Sequence, residues 1–181
     1  MLVISEPEEW PGAWTDWQAK AGALMAAAQS NPNIALIVTY GHRPAYTSVG
    51  TGSSGLQTAV DALGDKYSPT ARPDGKYVLN IGHHVHGGAI FAPQHGVVHI
   101  VDGGGGSEGV SYSTVRAGSQ WRTGHFEHLR STVTGASILL DFMCRPVWPV
   151  KPAKEPCTQR SVMHSSTVSA RTGSGGGGGT G

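Results

Sequence analysis

The sequence predicts an α/β domain within its 181 residues. Three observations carry this. Apolar residues recur at helical spacing across residues 12–29, at Trp14, Trp17, Ala21, Leu24 and Ala28. A continuous apolar run, IALIVT at residues 34–39, is β-branched at several positions and has the character of a strand buried on both faces. A further apolar stretch, YVLNI at residues 77–81, ends in GHHVH, which sets His83, His84 and His86 within four positions.

The elements follow in chain order. Residues 2–5 (LVIS) read as a short buried strand. Pro11 suits the first turn of the helix over 12–29, and Asn31-Pro32-Asn33 stops it. Its tryptophans belong in a core rather than on a ligand-stacking surface. The strand at 34–39 runs into Tyr40-Gly41-His42-Arg43-Pro44. Residues 47–55 are rich in Ser, Thr and Gly and form a loop; residues 56–66 read as a short helix. A loop with Pro69, Pro73 and Gly75 leads to the strand at 77–81. Residues 96–101 form another strand, entering a glycine turn at 103–106. Residues 126–133 and 136–143 alternate about Thr134-Gly135 as a β-hairpin.

The domain is expected over 1–145. Beyond Cys144, Pro146, Pro149, Pro152 and Pro156 break up regular structure, so 146–172 reads as a Pro-rich extension and 173–181 as a Gly-rich linker or tail, the kind that joins a further domain. No internal repeat is present. Lys and Arg number 13 against 12 Asp and Glu, so there is no basic field for nucleic acid or an anionic membrane. No apolar run approaches the ~18 residues of a membrane helix. The N-terminus, MLVISEPEEW, lacks the basic and apolar regions of a signal peptide. Cys144 and Cys157 belong to no C-x-x-C pair. They either close a disulfide across the Pro-rich stretch, worth roughly 3 kcal/mol in an oxidising compartment, or are two unrelated thiols.

Histidine is the conspicuous residue: eight of the nine lie between His42 and His128. Two buried strands end in His-bearing loops, and parallel neighbours would place both loops on one sheet edge, where sites gather. Neutral imidazole is a ligand for zinc, iron or manganese. In an extended segment His84 and His86 point to opposite sides. They therefore suit two metals, or one ligand and one supporting group, better than one compact site. His95, His99, His125, His128 and His164 carry no comparable spacing signal. No Gly-Lys-Ser/Thr follows the 103–106 turn, so it is not a P-loop.

VTYGHRPAYTS, followed by HVHGGAIFAPQHGVVHIVDGGGG, resembles the calcineurin-like metallophosphoesterases, the superfamily that includes the purple acid phosphatases. The resemblance covers about residues 2–143. It implies the C-terminal portion of a four-layer α/β/β/α sandwich, that is, one sheet with its flanking helices. It also implies a phosphate mono- or diester substrate cleaved by a metal-bound hydroxide, two metal ions drawn from Fe, Zn or Mn, and export from the cell. Phe91-Ala92-Pro93 anchors the register. By it, His42 and His84 bind one metal, His86 binds the other, and His83 is an additional imidazole, either supporting or a competing ligand.

Two departures follow: His83 stands where the family usually has Gly before its His-x-His, and the family's N-terminal motifs are missing. The family's Asp-x-His, bridging Gly-Asp and Gly-Asn-His-Asp/Glu motifs are absent, so no catalytic residue is assigned. Asp102 is the best-placed local carboxylate, though the family pattern does not make it a bridge. Two divalent ions bring four positive charges, and neutral imidazoles cancel none of them. The expectation is weak metal binding and little turnover, from a chain lacking the N-terminal ligands or from a degenerate, inactive binding module. A lost N-terminal half would also leave an apolar face or edge of the sheet uncovered. A cupin-type barrel shares His-x-His but expects a Glu soon after, where residues 87–93 read GGAIFAP.

Overall fold

The computed structural model describes residues 2–3, 13–50, 52–105, 111–112, 114–144 and 159–170. Strands β1 (Leu2–Val3), β2 (Ile37–Tyr40), β3 (Tyr77–Gly82), β4 (Gly88–Gln94), β5 (Val97–Asp102) and β6 (Ser119–Thr123) form one sheet in the order β1-β2-β3-β5-β4-β6. β1, β2, β3 and β5 run parallel, whereas β4 is antiparallel to both β5 and β6. A second, antiparallel sheet contains β7 (Glu127–Thr134), β8 (Ser137–Cys144) and β9 (Ser161–Ser169). The helices are α1 (Trp14–Ser30) and α2 (Ser54–Tyr67).

The larger sheet is covered on both faces. Ile81, Ile90 and Ile100 on one face meet Ile138, Leu140, Phe142 and Val168 of the smaller sheet. On the other, Ile37, Tyr77 and Val97 meet Ala21, Met25 and Leu63, and Ala89, Phe91 and Val101 meet Leu56 and Val60. Each fully buried large side chain contributes about 1.5–3 kcal/mol. Every residue of β3 is buried, as an interior parallel strand between covered faces requires. The described residues therefore build three layers, helices on sheet on sheet, a partial version of the four-layer sandwich.

Several expectations are refined. The buried stripe of α1 is Ala21, Met25 and Gln29, while Leu24 is 57% exposed. The rotation is fixed by polar contacts at the helix end. Gln29 Nε2 donates to the Asp74 carbonyl at 2.7 Å and its Oε1 accepts from Lys76 N at 3.2 Å. Lys76 Nζ donates to the carbonyls of Gln29 and Asn31, both at 2.8 Å, supplying the charge that the exposed end of a helix dipole favours. β4 and β6 were not legible as strands, and β9 lies inside the stretch read as Pro-rich extension. Cys144 is disulfide-bonded rather than a free thiol; Cys157, the sequence's other cysteine, lies outside the described residues. The outer face of the smaller sheet is mainly polar rather than apolar. Thr132, Thr167 and Leu139 are neighbours there, beside Arg130, Asp141 and Ser165. Arg130 lies 2.7 Å from Asp141, which also accepts from Ser165 Oγ at 2.7 Å. No helix among the described residues is long and apolar enough to cross a membrane.

A polar chain threads the interior. Asn80 Nδ2 donates to Thr39 Oγ1 at 2.7 Å, and Thr39 Oγ1 meets the Tyr77 hydroxyl at 2.8 Å. The His99 ring contacts Asn80 Oδ1 through Nδ1 at 3.3 Å and lies 4.4 Å from the Tyr46 ring, whose hydroxyl donates to Asp61. Burial first, and then the Arg116 charge, push the His99 pKa down to about 3. An unfolded imidazole binds its proton near pH 6.5. Between these values the unfolded chain holds the extra proton, so stability falls as pH falls, by up to about 1.4 kcal/mol per pH unit. Denaturant unfolding from pH 4 to 6.5 is expected to show this slope, and His99→Gln to reduce it by nearly one proton. An unchanged slope would contradict the buried neutral histidine.

Candidate functional site

The carboxyl ends of β2, β3 and β5 lie side by side, with Tyr40 opposite Ile81 and Gly82 opposite Val101. The loops that leave them are laced together. Gly41 N donates to the Ile81 carbonyl at 3.0 Å, His83 N to the His42 carbonyl at 2.8 Å, and Gly103 N to the Gly87 carbonyl at 3.1 Å. Between them is a cavity of about 360 Å³ lined by His42, His83, His84, His86, Asp102, Gly103 and Gly105.

The loop after β3 is not extended. Val85 N donates to the His83 carbonyl at 2.5 Å across His84, whose φ is +57°. That is a γ-type turn about a non-glycine residue in the left-handed region, a conformation that costs on the order of 1–3 kcal/mol. The expected opposition of His84 and His86 along an extended segment is therefore replaced by a tight turn that folds His84 back towards β2. Two glycines permit this crowding. A Cβ at Gly82 would lie 2.5 Å from Pro44 Cα, and one at Gly103 would overlap the Val85 carbonyl oxygen.

His42 Nε2 and His84 Nδ1 are 2.9 Å apart, with their rings edge to face. One neutral ring donates and the other accepts, so each holds a nitrogen where a cation could take both. His83 Nδ1 meets the Asp102 carbonyl oxygen, and its ring lies 4.6 Å from that of Tyr40. With Nδ1 donating there, Nε2 carries the lone pair. This is the backbone support usual behind a metal-bound histidine. His83 Nε2 is buried and has no hydrogen-bond partner among the described residues.

The other histidines lie apart from this cavity. His95 Nδ1 is 2.8 Å from Asp65 and its Nε2 is 3.7 Å from Asp61. His99 sits in the core, and His164 stacks on Trp121 with centroids 4.9 Å apart. His125 and His128 do not line the cavity.

Sequence reasoning missed Glu127. It is wholly buried beneath the glycine turn, and Oε1 accepts from Gly104 N at 3.1 Å. Oε2 has no hydrogen-bond partner among the described residues. Burial, and then the Asp102 charge, push its pKa up to about 8. The legible clue was a carboxylate two residues before Leu129, on the inward-facing parity of the hairpin strand.

The described side chains as they lie do not fit a metal centre. Among the described residues, no three His, Cys, Asp or Glu side chains stand in metal-holding geometry as they lie. The imidazoles also bring no negative charge to a dinuclear centre.

No protein-family model matches the chain, and no curated protein matches its sequence. Solved structures do resemble it. GAP50, the anchor in the inner membrane complex of Plasmodium, superposes with a TM-score of 0.63 at 16% identity, over 86% of this chain and 42% of that one. The purple acid phosphatase PPD1 from yellow lupin (Lupinus luteus) seeds gives 0.60 at 17% identity, over 83% and 28%. PhoD gives 0.53 at 12% identity, over 83% and 33%. The chain shares part of the metallophosphoesterase fold. It spans less than half the length of each of these structures.

The turn geometry yields a direct check. Gly103→Ala is expected to cost about 1–3 kcal/mol in denaturant unfolding, because the loop must shift away from the new methyl group. Gly105→Ala, whose Cβ would meet nothing within 4 Å, should stay within about 0.5 kcal/mol of the parent. Equal effects would mean that the crowding at Gly103 is not real.

Proposed function

We propose that this chain carries the histidine side of a metallophosphoesterase-type site. It binds one divalent cation through His42, His84 and His86, and by itself turns over phosphate esters slowly or not at all. The observation behind this reading is the approach of His42 Nε2 and His84 Nδ1 to 2.9 Å, from two different strand ends, beside His86 and Asp102 in one cavity. Iron, zinc or manganese fits imidazole donors.

Such a cation would polarise a phosphoryl oxygen when bound. The residues' own contributions are separable. His42 and His84 present ring nitrogens, the His83 main chain holds the two loops in register, and Gly103 and Gly105 form part of the cavity wall. The hydroxide-generating, charge-neutralising part of hydrolysis needs carboxylates beyond this set. A complementary polypeptide that carries them would be the partner through which a phosphate mono- or diester becomes a substrate. The disulfide at Cys144 favours an oxidising compartment, and hence export, as its working place. A second reading, a non-catalytic binding module on the same fold, is favoured by the absence of three converging ligands among the described residues.

Titration of the purified chain with Co²⁺, followed by visible absorption, separates the two readings. A single weak site is expected, micromolar or above, with affinity lowered at least tenfold by His84→Ala, and no hydrolysis of a chromogenic phosphodiester above background. No Co²⁺ binding supports the second reading. Brisk hydrolysis that disappears in His84→Ala would contradict the inactivity proposed for the isolated chain.

A further inference from the structure

Another cavity, of about 420 Å³, lies between the loop from β2 to α2 and the segment that leads into β6. Thr47, Ser48, Gly50 and Gly52 line one side of it, and Thr114 and Arg116 the other. No acidic residue is among the described residues that line it, and it shares none of them with the histidine cavity. We infer that this cavity binds a small tetrahedral oxyanion, a phosphate or sulfate group, through the Arg116 guanidinium and the Ser48 hydroxyl. The inference is independent of the histidine reading.

The two sides are tied together at Ser48. Its Oγ accepts from Arg116 N at 3.1 Å, and its carbonyl accepts from Thr114 Oγ1 at 3.4 Å. Ser48 is only 8% exposed, and the proton of its hydroxyl has no acceptor among the described residues. The main-chain N–H groups of Gly50 and Gly52 also have no hydrogen-bond partner among the described residues. Both positions favour glycine. Gly50 has a φ of +65°, and a Cβ at Gly52 would lie 3.0 Å from the Ala45 carbonyl oxygen. This side of the cavity is therefore rich in donors.

The opposite side holds the charge. Arg116 is half-buried and its guanidinium is fixed by two neutral groups. Nη2 donates to Gln57 Oε1 at 3.0 Å, and Cζ lies 4.5 Å from the centroid of the Tyr46 ring. Nε and Nη1 make no hydrogen bond among the described residues. Arg116 forms no ion pair among them either. Asp61, reached through Tyr46, accepts from the Tyr46 hydroxyl and stands 3.7 Å from His95 Nε2. Gln57 and Tyr46 thus orient the guanidinium without cancelling its charge. A planar fork with free N–H donors matches the oxygens of phosphate or sulfate. A wall of one guanidinium, a hydroxyl and bare N–H groups, with no carboxylate, favours an anion over a cation. With a single full charge, the expected Kd for phosphate is about 1 mM.

The test adds inorganic phosphate to the full ¹⁵N-labelled chain in buffer containing EDTA, and sodium chloride at matched ionic strength to a second sample. Phosphate is expected to shift the amide signals of Gly50 and Gly52 and the Nε–H signal of Arg116, with saturation; chloride should not. Arg116→Gln, which keeps a donor for Gln57, is expected to weaken phosphate binding at least fivefold. Ser48→Ala should weaken it about threefold, and Arg116→Lys should retain part of it. His84→Ala should bind phosphate like the parent, which separates this cavity from the histidines. Near-UV circular dichroism and the denaturant midpoint identify any variant that fails to fold. If Arg116 only anchors its segment to α2, Arg116→Gln lowers the midpoint and phosphate moves none of these signals in the parent. That result overturns the inference. So do equal shifts with chloride, or binding that His84→Ala abolishes and Arg116→Gln leaves intact.

Discussion

Three parallel strands, β2, β3 and β5, lie side by side with both faces of their sheet covered, so their carboxyl ends open on one edge. That arrangement decides where every candidate ligand goes. His42 leaves β2, the His83–His86 loop leaves β3, and Asp102 closes β5. The interior polar chain from Thr39 through Asn80 to His99 crosses these same three strands, and an unpaired polar group in that position would be expensive. A slip of one strand would break that chain and turn apolar side chains away from their layer, so the histidines are held by the core rather than by their own loops.

The edge so built is unbalanced electrostatically. Imidazoles crowd its front, two of them within hydrogen-bonding distance, while Glu127 is buried beneath the glycine turn, where it accepts from Gly104 N. A strained His84 and an orphaned Glu127 oxygen are among the local violations that the packed fold sustains. The likeness to purple acid phosphatase, PhoD and GAP50 structures fixes the fold and stops there, since identities of 12–17% carry no residue roles.

Much of this was legible in the chain. The apolar runs before His42 and His83 marked interior strands because burial on both faces erases alternation, and the helices showed their period and stops. The histidine cluster was legible because several imidazoles at strand ends are a compositional signal, and the structure gathers His42, His83, His84 and His86 around one cavity. What escaped detection depended on pairing. β4 has a weak strand signal because Gly88 and Pro93 sit at its ends, yet β5 and β6 on either side stabilise it. β9 lies far along the chain from β8, its partner, beyond a proline-rich stretch. Glu127 looked like one polar residue between two histidines, and only the hairpin's parity, set by its partner strand, turns it inward. The direction of the His84 side chain was missed for a related reason: a left-handed turn there is imposed by hydrogen bonds from neighbouring loops, not by any preference of histidine.

The central claim is that imidazoles from two strand ends converge on one cation. Long-range ¹H–¹⁵N correlation of the histidine rings during Zn²⁺ titration tests it most directly. The account predicts that the ring signals of His42, His84 and His86 move together and saturate at one equivalent, while those of His95, His99 and His164 stay in place. Movement of a single histidine, or of exposed histidines remote from the cavity, would contradict it.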